Sequence, residues 1–108
     1  MILIVAACQT QNEDRPADLL SQAQMVAFLV DSHMKEGQLQ AARISRDSAA
    51  TLFKQIEVDL YHKHDIDSQQ FLTSYHYYLD HVDELADIYD AVIDSLSLRE
   101  KVLINRED

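Results

Sequence analysis

Apolar residues recur at helical spacing along most of the chain, and no stretch alternates apolar and polar residues for long enough to indicate a strand. The first apolar stripe comprises Met25, Val26, Leu29, Val30, His33 and Met34. Ser21 can cap this helix, Gln24 can close a capping box, and Leu20 can pack on the first residue of the stripe as a hydrophobic staple. Gly37 interrupts the pattern, so we expect the helix to end there or to fray through residues 38–44.

A second helix is expected to begin at Ser45 or Asp47, because either side chain can accept a hydrogen bond from the first helical turn. Its apolar stripe comprises Ala49, Leu52, Phe53, Ile56 and Leu60. The helix is expected to end in the run from Tyr61 to His64, where basic residues suit the negative end of the helix dipole. We interpret His62 and His64 as solvated or capping side chains at this terminus.

The next helix start repeats the first, with Asp67 as the cap, Gln70 to close a second capping box and Ile66 as the staple. Apolar residues then follow at alternating steps of four and three, namely Phe71, Tyr75, Tyr78, Val82, Leu85, Tyr89, Val92 and Leu96. This spacing predicts one long helix or two helices broken between Leu79 and Val82, and Asp80, which can cap a new helix, favours the break. The predicted fold is all-α, with three or four helices in a bundle-like or orthogonal arrangement.

The composition excludes several classes of site. The chain of 108 residues holds one Gly, one Pro and one Cys, and its formal net charge at pH 7 is −10. A glycine-rich phosphate loop needs several glycines, and an internal disulfide or a multi-cysteine zinc site needs more than one cysteine. Nucleic-acid backbones are bound by clusters of Lys and Arg, which this acidic chain lacks. We therefore expect a single domain with no cofactor and no nucleic-acid partner.

The N-terminal segment has the pattern of a signal peptide that ends at a cysteine. Residues 2–7 are apolar, and Val5-Ala6-Ala7-Cys8 is similar to a bacterial lipobox. The resemblance implies a diacylglycerol thioether on Cys8, cleavage before it and an acylated new N-terminus. No Lys or Arg precedes Arg15, although a signal peptide begins with basic residues, so we expect the natural start to lie upstream. In the alternative interpretation the segment packs on the core, with Cys8 as a small apolar residue.

These patterns divide the chain into four parts. Residues 1–7 are interpreted as the remnant of a truncated signal peptide, residues 8–18 as a polar tether, residues 19–104 as one helical domain, and residues 105–108 as a tail. The tether interpretation rests on the polar run QTQNED that follows the cysteine. A lipid on Cys8 would place the domain at the cell envelope, and we expect the outer membrane, facing the periplasm.

The densest polar cluster is Asp31, His33 and Glu36 on the first predicted helix. His33 and Glu36 are neighbours at helical spacing, whereas Asp31 points to another side, so a metal ion would need further ligands from elsewhere. His33 also lies on the apolar stripe, which favours a buried histidine that is hydrogen-bonded to a neighbouring helix. A structural role is therefore favoured for this cluster; Asp31, His33 and Glu36 are also candidates for partner binding, and no metal site is assigned.

The remaining polar and aromatic residues give no catalytic set. A line of carboxylates is interpreted as a solvated helix face, namely Asp83, Asp87, Asp90 and Asp94. Among the tyrosines, Tyr75, Tyr78 and Tyr89 lie on the apolar seam and are expected in the core, whereas Tyr77 lies off it and is a candidate partner contact. No pair of carboxylates is placed as a general acid and base, and we expect no enzymatic activity.

The order and spacing of many residues resemble a family. They are Cys8, Pro16, Leu19, Leu20, Met25, Leu29, Asp31, His33, Glu36, Asp65-Ile66-Asp67, Phe71, Ser74, Tyr77-Tyr78, Leu85, Ile88-Tyr89-Asp90, Val92 and Leu96. The chain is similar to small helical lipoproteins of Bacteroidota that carry a domain of unknown function. Related chains often have a proline between the paired tyrosines and the last helix, where this chain has Leu79-Asp80-His81-Val82. The resemblance implies a compartment and an all-helical fold, and no activity.

We interpret the protein as a lipid-anchored module of the cell envelope that binds another, unidentified envelope protein without catalysis. The alternative is a chaperone-like or assembly factor that holds extended polypeptides in a groove between helices. A third interpretation is a metal-dependent enzyme that uses Asp31, His33 and Glu36. A fixed partner, a range of unfolded clients and a bound metal ion are the observations that separate these three.

Overall fold

The structure, a computed structural model, describes residues 15–107, with side chains through residue 105, and within that part every regular element is a helix. The four helices are α1 (Gln22–Ala41), α2 (Arg46–Lys63), α3 (Ser68–Leu79) and α4 (Val82–Glu107). The all-α prediction and the long last helix are therefore confirmed. The predicted leader and Cys8 lie outside the described residues. Over residues 15–107, none of the helices has a stretch long and apolar enough to cross a membrane.

The first two helices begin at the predicted caps. Ser21 Oγ accepts a hydrogen bond from the backbone N–H of Gln24 at 3.1 Å, and Gln24 Oε1 accepts one from the N–H of Ser21 at 2.8 Å. The capping box is thus complete, and it satisfies two donors that a bare helix start would leave unpaired. At α2, Ser45 rather than Asp47 is the cap, since its Oγ accepts from the N–H of Ser48 at 3.2 Å.

The start of α3 forms only half of the predicted box. Asp67 Oδ1 accepts from the backbone N–H of Gln70 at 2.7 Å, as predicted. The Gln70 side chain does not turn back to close the box; its Nε2 donates to the carbonyl oxygen of Asp18 at 3.0 Å. That bond joins α3 to the segment before α1. The prediction of a closed second box is wrong because a tertiary acceptor lies within reach of the Gln70 amide.

The apolar series is divided between two helices where predicted, but Asp80 caps the end of the first rather than the start of the second. α3 ends at Leu79 and α4 begins at Val82. Asp80 is the C-cap of α3 instead of the N-cap of α4, and its backbone N–H bonds back to carbonyl groups in the last turn of α3. His81 continues the turn, since its Nδ1–H donates to the carbonyl oxygen of Tyr77 at 2.7 Å. The two helices therefore form a tight hairpin without a proline.

Of the two predicted endings of the first helix, the one at Gly37 is wrong, because α1 continues through Gly37 to Ala41, which lies within the alternative range of residues 38–44. A glycine within a helix costs about 1 kcal/mol relative to alanine, which neighbouring turns can offset. The reversal comes later, where Arg43 adopts a left-handed backbone conformation with φ of 57°. Asp65 does the same after α2, with φ of 54°. A short polar side chain such as that of aspartate tolerates this conformation better than most side chains do.

α1 lies at the centre of the fold. α2 packs antiparallel to its second half, and α3 packs against its first half; the two meet at Phe28, which contacts Tyr61 of α2 and Phe71 of α3. α4 runs parallel to α1, because the helices begin side by side and Arg99 Nη1 lies 3.6 Å from Met34 Sδ. The central hydrophobic cluster comprises Leu20, Met25, Leu29, Val30, Tyr78, Ile88 and Val92.

The core occupies only one half of an elongated molecule that measures 65 × 33 × 21 Å. The far end consists of the α1–α2 hairpin beyond Met34 and the end of α4 beyond Leu96. Apolar side chains continue into both extensions although little covers them there. The exposed ones are Ile44, Leu52, Val58, Leu98, Val102, Leu103 and Ile104.

Candidate functional site

Asp31 is the centre of the most strongly connected polar group in the described residues. Its Oδ2 accepts hydrogen bonds from Lys63 Nζ at 2.9 Å and from His64 Nε2 at 2.8 Å. Both donors lie at the end of α2, so this group joins the middle of α1 to the α2 terminus. The side chains of Asp31 and His64 are largely buried, whereas that of Lys63 is 63% exposed.

The pKa of Asp31 reflects two opposed effects. Burial raises it, and the hydrogen bonds and positive charges of Lys63 and His64 lower it. The partners prevail, so the pKa of Asp31 lies below its ordinary value of 3.8 and the carboxylate is ionised at neutral pH. An ionised carboxylate that is held in this way connects two helices and gives the α1–α2 junction a defined geometry.

His64 was the residue that sequence reasoning placed least well. It is the C-cap of α2, which agrees with a capping role, but its side chain is 18% exposed rather than solvated. Its ring also packs edge-on to Phe28, with centroids 5.6 Å apart. The helix-terminal position concealed this contact, because only the fold brings Asp31 beside a residue 33 positions further along the chain.

His33 and Glu36 do not join Asp31. His33 Nδ1 lies 3.9 Å from Glu36 Oε2, and both side chains are about half exposed. The prediction that His33 is buried and bonded to a neighbouring helix is therefore wrong, since the apolar stripe of α1 is wider than the face that its neighbours cover. Within residues 15–107, no three His, Cys, Asp or Glu side chains lie close enough together to hold a metal ion. The geometry gives no support to a metal centre built from Asp31, His33 and Glu36.

Tyr77 is a half-buried residue of α3 and lies near the start of α1, away from His33 and Glu36. Its ring stacks on that of His81 with centroids 3.9 Å apart, and the guanidinium of Arg15 lies 5.5 Å from its centroid. Arg15 also approaches Glu84, with 3.7 Å between Nη2 and Oε1. Tyr77 thus holds the start of the described chain against the α3–α4 turn. A partner contact at Tyr77 stays a prediction.

The tyrosines that were expected in the core are packed there. Tyr78 is 2% exposed, while Tyr75 and Tyr89 are half-buried and share a hydrogen bond of 2.8 Å between their hydroxyl groups. Burial and this hydrogen bond together raise the pKa of Tyr89 to about 12. Tyr89 therefore remains protonated at physiological pH, and all three tyrosines act as packing residues with polar ends.

The incomplete cover of α1 leaves several grooves along it, two of which lie beside Lys63 at the end of α2. The first, here the hairpin groove, has a volume of about 560 Å³ and lies between the second half of α1 and α2. It is lined by Lys35, Gln38, Leu39, Ala42, Ile56, Asp59, Leu60 and Lys63. The second, here the α1–α4 groove, has a volume of about 580 Å³ and lies between the parallel helices. It is lined by Gln22, Ala23, Val26, Ala27, Val30, Asp31, Lys63, His64, Asp87, Ala91, Ser95 and Arg99.

We expect the contribution of Asp31 to stability to depend on pH. Because its pKa in the folded chain lies below 3.8, the ionised form stabilises the fold above that value, and the contribution is lost as the pH falls through the folded-state pKa. Asp31→Asn is expected to cost about 1 kcal/mol at pH 7, a value reduced by the screening of the exposed Lys63. Urea denaturation should show parent and variant converging below pH 3.8. Asp90→Asn, at an exposed site, is the control and should change the free energy of unfolding little. If the difference in free energy of unfolding between the parent and Asp31→Asn stayed constant with pH, the prediction would be contradicted.

Comparison with known proteins adds one finding. Residues 16–102 match the model of a protein family described as Domain of unknown function (DUF4296). No curated protein and no solved structure matches the chain. The matched region takes in α1, α2, α3 and most of α4, and therefore both grooves and the Asp31 group. The chain belongs to the family that carries this domain of unknown function, DUF4296.

Proposed function

We propose that this protein is a lipid-anchored protein of the cell envelope that binds another envelope protein through its hairpin groove, without catalysis. The observation that carries the proposal is the apolar surface that the α1–α2 hairpin exposes beyond the core. A hairpin that served only to complete the core would have little reason to keep apolar residues at positions that no neighbouring helix covers.

The hairpin groove has an apolar floor and a basic rim. Leu60 is buried at its inner end, Leu39 and Ile56 are half-buried along it, and Leu52, one turn before Ile56, is 48% exposed. Such a stripe fits the apolar face of a helix, which is a common mode of recognition between proteins. The groove is lined by about two turns of each helix, which suits a few anchoring side chains better than a long unfolded segment.

The charge of the groove indicates the character of the partner. Lys35 and Lys63 line it with one carboxylate, Asp59, so its lining is positive on a chain whose net charge is −10. Because Lys63 is already bonded to Asp31, Lys35 is the cation with the greater freedom to turn to a ligand. We infer a partner that presents an amphipathic helix with apolar anchors and flanking acidic side chains.

The position of the groove suits an anchor at Cys8. The described chain starts with Arg15 at the α3–α4 turn, and the groove lies about 25 Å away along α1. A lipid on Cys8, followed by six residues that reach about 20 Å when extended, would attach the domain by the turn end. The hairpin would then point away from the membrane, where it is accessible to a partner. The resemblance to lipoproteins of Bacteroidota supports the anchor at Cys8.

The experiment follows the chain in a Bacteroidota host, expressed with its native upstream DNA, with an alkyne fatty acid as the lipid label and a photo-crosslinking residue at Gln38. We expect the label on the parent and none on Cys8→Ala. We expect one discrete adduct from position 38 and none from His76, an exposed position on α3. Lys35→Glu and Leu52→Asp should abolish the adduct, whereas Lys54→Glu, at an exposed site on the same hairpin, should not.

Each contrary result has a definite meaning. Label that persists in Cys8→Ala, or is missing from the parent, overturns the anchor and favours an N-terminal segment that packs on the fold. Many adducts from position 38 overturn the fixed partner in favour of the chaperone-like alternative. An adduct that is insensitive to Lys35→Glu and Leu52→Asp shows that contact occurs outside the hairpin groove.

A further inference from the structure

One face of α4 carries an apolar seam that no part of the described chain covers at its outer end. Leu98 is 64% exposed and Val102 is 47% exposed, and the same face continues inwards as Ser95 and Ala91, which line the α1–α4 groove. The steps of four, three and four between these residues place them in one line, as in a helix that packs against another helix. Large side chains stand at the outer end and small ones at the inner end.

The charge of α4 is divided in the same direction. Its first half has five acidic residues and no basic one, and they are Asp83, Glu84, Asp87, Asp90 and Asp94. In the outer half, up to residue 105, Arg99 and Lys101 stand with a single acidic residue, Glu100. An antiparallel partner with the same sequence would therefore set a basic half against an acidic half at both ends.

We propose that the protein forms a homodimer in which the α4 helices of two copies pack antiparallel along this seam. The register that pairs large side chains with small ones puts Leu98 against Ser95 of the second copy and Val102 against Ala91 of the second copy. Both pairs belong to one register, because the two residue numbers have the same sum in each. The outer half of each α4 then lies in the α1–α4 groove of the other copy.

The α1–α4 groove has the shape that this helix needs. At its inner end the groove is lined by Ala23 and Ala27 of α1 and by Ala91 of α4, together with the half-buried Val26. The small alanine side chains let a third helix approach closely, and Val26 gives that helix an apolar surface to cover. A parallel pair would instead oppose large side chains to large ones and acidic residues to acidic ones.

The register also forms two symmetric ion pairs. Asp94 and Lys101 lie on the same flank of the seam, since each directly precedes a seam residue, Ser95 or Val102. In an antiparallel pair this flank of one helix lies beside the same flank of the other, so Asp94 of each copy faces Lys101 of the second copy. Such an interface is self-complementary and closes at two copies, because each contact occurs twice about a two-fold axis. The dimer interface does not include Leu39, Ile56 or Leu52 of the α1–α2 hairpin, so the dimer and the partner-binding proposal can be tested independently.

Sedimentation of the 108-residue chain with Cys8→Ser, which excludes lipid and disulfide, tests the dimer. We expect a dimer that dissociates on dilution. Leu98→Asp and Val102→Asp should each raise its dissociation constant by about tenfold or more. Ile93→Asp is the matched control, because Ile93 is 59% exposed on the opposite face of α4 and should leave the association unchanged. Since all three positions are exposed in the single chain, circular dichroism should show each variant folded.

Exchange of charge tests the register. Asp94→Lys alone and Lys101→Asp alone each oppose like charges and should weaken the dimer, and the double substitution should restore it. A parent chain that sediments as a monomer throughout overturns the proposal, and so does a dimer that tolerates Leu98→Asp. A dimer that the double substitution fails to restore overturns the antiparallel register.

Discussion

Ile88→Ala is expected to lower the free energy of unfolding by about 3 kcal/mol, the largest effect of any substitution considered for this protein. The side chain is 0% exposed and lies in the central cluster between the first half of α1 and the α3–α4 hairpin. Truncation removes buried methyl groups and leaves a cavity that the helices cannot fully close. Because the core occupies only one half of the molecule, few other buried residues can compensate. Urea denaturation followed by circular dichroism measures the loss.

The matched control is Ile93→Ala, the same deletion five residues further along α4. Ile93 is 59% exposed, so its truncation removes little buried surface and should change the free energy of unfolding by less than about 0.5 kcal/mol. The contrast tests which face of α4 meets the core. If the two substitutions lowered stability equally, α4 would have to pack in a different rotation from the one described.

The second large effect is expected at Ser74, whose side chain holds the backbone of Leu20. Ser74 Oγ accepts from the N–H of Leu20 at 3.0 Å, and the hydroxyl of Tyr78 donates to the carbonyl oxygen of the same residue at 2.7 Å. Ser74 is 0% exposed, so water cannot replace it. Ser74→Ala is expected to cost about 1–3 kcal/mol, because it leaves the N–H of Leu20 buried without an acceptor.

Tyr78→Phe tests the other half of this contact and should cost a similar amount, because the carbonyl oxygen of Leu20 loses its donor. The double variant should show coupling, since both side chains hold one peptide segment in place. Ser97→Ala, at an exposed position of α4, is the control and should leave the free energy of unfolding within about 0.5 kcal/mol of the parent. Equal behaviour of Ser74→Ala and Ser97→Ala in denaturation would contradict the buried hydrogen bond.

The candidate site was predicted in pieces rather than as a unit. Asp31 was singled out from its position near His33 and Glu36, yet the structure turns it to Lys63 and His64 on another helix. A carboxylate on one helix and a Lys-His dipeptide at the end of another are both common, so the sequence alone could not show that Asp31 contacts Lys63 and His64. The grooves were not predicted by residue at all, because a groove is defined by the places where packing stops.

Local contacts explain which features could be predicted from the sequence alone. Ser21, Ser45 and Asp67 were predicted as caps, or as one of two possible caps, because a cap and the backbone N–H that donates to it are three residues apart and depend little on the rest of the fold. The apolar spacing likewise predicted that the described elements are helices. It left open whether the last helix breaks between Leu79 and Val82, and the break was favoured only by Asp80, which caps the end of α3 rather than the start of α4. Periodicity is a property of a single helix, so it can be seen in one sequence.

Which apolar faces are covered depends on how the helices pack against one another. Apolar residues continue beyond Met34 on α1, at Leu39, and beyond Leu96 on α4, at Leu98 and Val102. Periodicity indicates only that a helix face is apolar, not that another helix packs on it. α1 passed through Gly37 because packing on either side can offset the cost of one glycine. Asp31 met His64 because the reversal at Arg43 sends α2 back along α1. These outcomes depend on contacts between distant residues, whose free energies are set when the helices assemble.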